Sequence, residues 1–450
     1  MTSSLAPERE QDKRRSAVFQ DTNFERRAGC AETLTSNVSR SSVNERFSIR
    51  PPQLLQRLDA TIPMKSQLLT LTALFVAFAS CKSTAPDYGR ALPPGAPALL
   101  PLGPNETHPD FATQWDERVD ILPALDHSIE WMKRDKSKNY FPMENVSHAR
   151  ALRSLERFRY LLANSKSQQE FAKLLDEQFV VFKSAGWDGK GGGVLFTGYC
   201  TPILDGRLKE DGAYQYPLYS LPPDLVKGPD GEILGQRAPD GIHPYPTRQV
   251  IESTSMLEGK HLELAWLKDP IDAYIAHVNG SAFIRLQSGE LLRLGYAGKN
   301  GQAYRSLGQE LVKDEKMKKD EVSLASIRRL AKEHPQEVEG YLMRNDSYVF
   351  FTKIDGNPHG SLNVPVTAGR TIATDKTLFP RGSLTFVEAK SGGDASLGRF
   401  AHRFYLDQDT GGAIRTAGRA DLYLGVGPDA EAKAGATRVE GQLYYIFVKE

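Results

Sequence analysis

The sequence predicts a mainly β fold with a helical segment on its N-terminal side. Three observations carry this. Apolar residues recur at three- and four-residue spacing between Ser147 and Lys183, the period of an amphipathic helix. Past Gly186 the chain breaks into short β-type runs bounded by Gly, Pro, Asn and Asp, the texture of barrels more than of open parallel sheets. No period of roughly 20 to 50 residues repeats, which argues against a solenoid or propeller.

In chain order, residues 1–63 are rich in Ser, Arg, Gln and Asn with no sustained apolar period, so they read as disordered. At Met64 the character changes. Met64-Lys65-Ser66-Gln67 is a short basic start, Leu68 to Ala79 is uncharged and mostly apolar, and Phe78-Ala79-Ser80 places small residues before Cys81. This is the three-part layout of a secretory signal. A cysteine directly after Ala-Ser resembles a bacterial lipobox, in which Cys81 receives the lipid; the competing reading is a buried helix that ends in Cys. A signal peptide has to be N-terminal, so translation is expected to begin at Met64, with 1–63 a mispredicted extension, 64–80 the signal and 81–107 the lipidated Cys81 and its tether. Ala91-Leu-Pro-Pro-Gly-Ala-Pro in that tether forbids helix. No apolar run reaches the roughly 18–20 residues of a membrane span. The expected location is the cell envelope, at the periplasmic face of the outer membrane, with the membrane reached through the lipid alone.

Ser147 is a candidate N-cap. Leu152, Leu155, Phe158, Leu161 and Leu162 make one apolar stripe, and Phe171, Leu174, Leu175, Phe179 and Phe182 continue it after a break near Asn164-Ser165. Strands are expected within Gly193–Tyr199, Ala282–Leu286, Leu291–Tyr296, Ser347–Phe351 and Leu443–Val448, with one helical interlude from Ser323 to Glu339.

Composition excludes several function classes. The 57 Lys+Arg against 56 Asp+Glu leave no global field to attract nucleic acid. Three cysteines make neither a disulfide scaffold nor a thiolate zinc site, and the nine histidines show no close metal-ligand spacing; no metal and no cofactor is expected. Gly189-Lys-Gly-Gly-Gly lacks the spacing of a phosphate loop, and there is no G-x-S-x-G elbow.

The C-terminal third holds Asp375, Asp409 and Asp421 beside β-forming apolar residues. Carboxylates are costly to bury there unless paired, and burial raises their pKa toward what a general acid needs. The bland alternative is that each caps a turn or pairs with Arg370, Arg415 or Arg419. Asp409-Thr410-Gly411 also spells the aspartic-peptidase tripeptide, but no second copy exists, so a peptidase would have to be a homodimer.

Five blocks in order complete the picture: Phe196-Thr-Gly-Tyr with Tyr214-Gln-Tyr-Pro-Leu-Tyr-Ser-Leu-Pro-Pro-Asp-Leu; Leu262-Glu-Leu-Ala-Trp-Leu-Lys-Asp-Pro-Ile-Asp-Ala-Tyr; Arg293-Leu-Gly-Tyr-Ala-Gly-Lys-Asn-Gly-Gln-Ala-Tyr-Arg-Ser-Leu-Gly; Asn345-Asp-Ser-Tyr-Val-Phe-Phe; and the three aspartates. Over roughly residues 108–450 the chain resembles the membrane-bound lytic murein transglycosylase A family. The resemblance implies a double-psi β-barrel from 108–197 plus 346–450, carrying an inserted β-domain at 198–345, with a glycan groove between them. It implies cleavage of the β-1,4 bond between N-acetylmuramic acid and N-acetylglucosamine in peptidoglycan strands, leaving a 1,6-anhydro sugar, by a monomer. Asp421 maps to the acid that later acts as base, Asp409 to a supporting carboxylate and Asp375 to a structural residue. Thr197, Tyr199, Asn279, Ser281, Tyr296, Tyr304, Arg305, Thr410, Gly411 and Gly412 map to glycan contacts. This chain departs from the family pattern at Cys200-Thr201 (usually Tyr-Glu), at Asn279-Gly-Ser-Ala (usually Gln-Gly-Ser-Gly) and at Asp346 (commonly Pro). The alternatives are a non-catalytic, expansin-like wall-binding barrel, which would need a missing acid, and the dimeric peptidase.

Overall fold

The computed structural model describes residues 85–103, 105–229, 231–389 and 400–450. The expectations on residues 1–84, the signal peptide and Cys81 among them, fall outside the described residues. From the described N-terminal side the chain runs through a short strand β1 (Leu99–Pro101) and helices α1 (Leu122–Met132), α2 (His148–Asn164) and α3 (Gln168–Gln178). Ser147 caps α2 by accepting from Arg150 N, and Ser167 caps α3 by accepting from Glu170 N; such caps are worth about 1 kcal/mol each. The helix does not continue to Lys183. Phe179-Val180-Val181-Phe182, β-branched and aromatic, forms strand β2 (Phe179–Ser184), where such side chains pack better than on a helix. Helix α1 has no counterpart among the expected elements, although its buried Ala124, Leu125, Ser128, Ile129 and Met132 recur at one-, three- and four-residue steps along one face.

Strand β3 (Val194–Thr201) leads into the insert. There β4 (Ile203–Arg207), β5 (Tyr216–Tyr219), β6 (Leu225–Lys227), β7 (Ile233–Ala238), β8 (Gly241–His243), β9 (Glu263–Leu267), β10 (Ala282–Arg285), β11 (Leu291–Lys299) and β12 (Val349–Lys353) alternate with α4 (Arg248–Ser253), α5 (Pro270–Asn279), α6 (Leu307–Lys313), α7 (Leu324–Glu333) and α8 (Pro335–Met343). Six of the strands make one sheet, β12-β11-β10-β4-β9-β5, and β6-β7-β8 a second. The insert is therefore richer in helix than the sequence suggested, and its single interlude is two helices broken at His334-Pro335. Its boundary also moves. Val349–Lys353 pairs with β11, so the insert's strands run from Ile203 to Lys353 and not from 198 to 345; the hydrogen-bonding edge of β11 claims residues that the linear pattern assigned to the barrel.

The chain then returns through β13 (Thr371–Ala373), β14 (Leu384–Ala389), β15 (His402–Asp409), β16 (Arg419–Val426), helix α9 (Pro428–Ala436) and β17 (Arg438–Val448). Strand pairing runs β17-β14-β15-β13-β16-β3, and β3 pairs back to β17. The six strands close into a barrel, with β13–β15 and β16–β3 parallel and the other pairs antiparallel. Closure leaves no free edge. Its core is continuous with the helical layer: Phe111, Phe158 and Phe171 stack around Phe404 and Phe386. Between insert and barrel, Arg328 on α7, held by Asp272 of α5 at 2.6 Å, reaches Glu431 of α9 at 3.6 Å.

Candidate active site

Strand register assembles the site. Asp421 on β16 faces Thr197 of β3 on one side and Ala373 of β13 on the other, and Ala373 is in register with Asp409 at the end of β15. Two carboxylates that are twelve positions apart in sequence thus flank one alanine. Asp409 is well satisfied. Its Oδ1 accepts from the backbone N–H of Ser361 at 2.9 Å and of Thr410 at 2.8 Å, and its Oδ2 accepts from Tyr199 OH at 2.8 Å. Burial nevertheless pushes its pKa up, against the pull of those donors and of Lys376.

Asp421 is different. Thr197 Oγ1 donates to its Oδ1, and Arg419 Nη2 stands 3.5 Å from the same oxygen; among the described residues no donor reaches Oδ2. The side chain keeps 21% of its surface open. Burial raises its pKa to about 6, opposed by Arg419 and helped by the negative charge of Asp409. Arg419 does not neutralise the acid outright, because its guanidinium also donates to Thr197 Oγ1, at 3.1 Å. An acid that holds its proton near neutral pH, open on one side, suits proton transfer to a leaving group.

Beneath the pair lies a carboxylate that sequence reasoning passed over. Asp407 is fully buried and accepts from both Thr374 Oγ1 (2.9 Å to each oxygen), Tyr445 OH (2.8 Å) and Lys376 Nζ. Thr374 O in turn accepts from Thr410 Oγ1 at 2.8 Å, tying the Asp409-Thr410-Gly411 turn to that buried network. Asp375 is buried and closes a local turn, accepting from Thr377 N at 3.0 Å and Thr377 Oγ1 at 2.7 Å. It does not join the other two. Among the described residues no cluster of three or more His, Cys, Asp or Glu could hold a metal ion.

A model of the MltA specific insert domain matches residues 195–352, and one of the 3D domain matches 370–447. The membrane-bound lytic murein transglycosylase A of Escherichia coli (strain K12) is 32% identical over 260 residues, 57% of this chain and 66% of the relative's length. That of Vibrio cholerae is 30% identical over 264 residues, 58% of this chain and 67% of the relative. The chain belongs to the membrane-bound lytic murein transglycosylase A family. Solved structures show the same fold. The enzyme from Agrobacterium tumefaciens superposes with a TM-score of 0.64 at 24% identity, over 78% of this chain and 98% of that one. E. coli MltA with bound chitohexaose gives 0.58 at 24%, over 79% and 96%.

Of the positions mapped from the family, Thr197 touches Asp421 and Tyr199 touches Asp409. Tyr304 of the insert presses on the Asp-Thr-Gly-Gly turn: a Cβ on Gly412 would stand 2.9 Å from Tyr304 Cβ, so this position needs glycine. Burial raises the Tyr304 pKa, and the charge of Asp421 adds to the effect. Asn279 and Tyr304 line a cavity of about 270 Å³ with Tyr274, Val278 and Ile327, and Asn279 Nδ2 donates to Ile275 O at 3.0 Å. Tyr296 is exposed and packs beside Gly280. Arg305 is paired with Asp346 at 3.3 Å, so the family departure at 346 supplies a partner to a mapped contact. Ser281 faces the barrel. It is 6% exposed, and its hydroxyl lies 3.1 Å from Thr201 Oγ1, which is also 3.0 Å from Tyr423 OH. Cys200 and Thr201, which depart from the family pattern, are both buried. Burial lifts the Cys200 thiol to about 12, an inert packed group, and Thr201 ties Ser281 to Tyr423 of the barrel.

Proposed function

We propose that the chain is a lytic transglycosylase that opens the β-1,4 bond between N-acetylmuramic acid and N-acetylglucosamine in peptidoglycan and leaves a 1,6-anhydromuramic acid end. The observation that carries this is the environment of Asp421: one partly open carboxyl group whose pKa is raised to about 6. Its proton passes to the departing O4 of N-acetylglucosamine as the C1–O4 bond breaks. The muramic acid's own C6 hydroxyl attacks C1, and its proton returns to the Asp421 carboxylate as C1–O6 forms. Water is not consumed, so the second carboxylate of an ordinary glycosidase has no nucleophilic duty; intramolecular attack brings a high effective concentration. Burial raises the Asp421 pKa, the charge of Asp409 adds to it, and Tyr199 holds Asp409 in place. Tyr296, Tyr304, Asn279 and Arg305 contact the strand, in keeping with the glycan oligomer bound by the E. coli relative. The protein acts as a monomer, tethered through a lipid on Cys81 at the periplasmic face of the outer membrane. Among the described residues no helix is long and apolar enough to cross a membrane. Purified protein incubated with peptidoglycan should release anhydro-muropeptides, identified by mass; hydrolysed reducing ends, intact strands or cut peptide stems would overturn the proposal.

A further inference from the structure

Two cations where the insert meets the barrel have no acid to answer them among the described residues. Lys299 ends β11 and is half-buried, and Arg415 is exposed on the loop that connects the strands of Asp409 and Asp421. The contact between Tyr304 and Gly412, five residues after Lys299 and three before Arg415, brings the two segments together. Burial lowers the Lys299 pKa, and the Arg415 charge lowers it further. Among the described residues neither has an ion-pair partner, whereas the neighbouring Arg305 and Arg419 are answered by Asp346 and Asp421. Like charges gathered at a partly dry surface repel unless an anion completes them.

We propose that Lys299 and Arg415 bind a carboxylate of the peptide stem carried by the muramic acid whose bond is broken. The inference rests on the transglycosylase reading of Asp421 and adds a determinant of substrate choice to it. The stem hangs from the same sugar that presents C1 to Asp421. At about 3.5 Å per extended residue, a stem of three residues reaches on the order of 10 Å from the sugar, and Arg415 lies on the loop between the strands that carry Asp409 and Asp421.

The test compares stem-bearing glycan strands with the same strands after carbodiimide-driven amidation with ammonia, which keeps the stem and removes its negative charge. For the unmodified protein KM should rise about tenfold on amidated strands, with the gap narrowing as salt is added. In a Lys299→Gln, Arg415→Gln double variant, shown folded by its melting curve, the ratio of the two KM values should fall toward one. A Lys299→Arg, Arg415→Lys variant should recover most of it. A ratio near one in the unmodified protein, or an unaltered ratio in the double variant, would overturn the assignment. Failure of the unmodified protein to release anhydro ends from either kind of strand would instead remove the transglycosylase reading beneath it.

Discussion

Asp407 and Asp421 lie on either side of β13 in one barrel and are treated in opposite ways. Asp407 has no exposed surface and is answered by a lysine, a threonine and a tyrosine. Asp421 shares one hydroxyl and a distant guanidinium, and keeps an open side. A buried carboxylate whose hydrogen-bonding capacity is filled serves as scaffold; one left partly unfilled stores a raised pKa that can be spent on chemistry. The barrel needs both, because the filled one anchors Thr374, and through it the turn that positions Asp409.

The largest effect should come from the open member of the pair. Asp421→Asn keeps the shape of the side chain but has no proton to give and recover, so release of anhydro-muropeptides should drop by on the order of 10²- to 10⁴-fold. The same acid sets the pH profile. It must be protonated to act, so the rate should fall as pH rises through about 6, and a profile that is flat from pH 5 to 8 would detach the rate from this carboxyl group.

Next in size is the filled member. Asp407→Asn leaves Lys376 buried without its counter-charge, and removal of one partner from such a pair typically costs about 3–5 kcal/mol. The readout is urea unfolding at neutral pH, and a loss below about 1 kcal/mol would mean that the network is not the scaffold described.

The contrast also predicts a gain of stability. The folded pKa of Asp421 lies above the unfolded value, so the folded protein binds the proton more tightly. Ionising Asp421 therefore costs stability as pH rises from about 4 to 6. The shift from 3.8 to about 6 corresponds to roughly 3 kcal/mol as an upper bound. Asp421→Asn should accordingly unfold at higher urea than the parent at pH 8, with the difference shrinking toward pH 4. An inactive variant that is more stable is the signature of a strained site.

How much of this was legible in the sequence follows from range. Two of the six barrel strands, within Gly193–Tyr199 and Leu443–Val448, and the cap at Ser147 were visible because local pattern marks them, and Asp409 and Asp421 because the ordered family blocks drew attention to them. Asp407 was not: it sits two residues before Asp409, and the Lys376 that explains it lies 31 positions away across the barrel. Helix α5 carried a readable start, Asp269 as N-cap with Pro270 behind it, and a stripe, Ile271, Tyr274 and Ile275, which in a helix of ten residues is too short to stand out as a period. The misplaced end of the insert has the same origin, since only pairing with β11 shows which domain Val349–Lys353 belongs to.

The smallest effect sharpens the contrast at Ser281. A serine after glycine at the end of a helix looks like a groove contact in one dimension, yet its hydroxyl is buried against Thr201, and Thr201 against Tyr423. Ser281→Ala should cost about 1 kcal/mol of stability and leave KM for glycan strands within twofold (about 0.4 kcal/mol), whereas Tyr304→Ala should raise KM while removing a side chain that touches the Gly412 turn. If the serine variant lost binding at unchanged stability, Ser281 would face the strand after all, and Thr201 would have been built as a partner for the glycan instead of a bolt between the two domains.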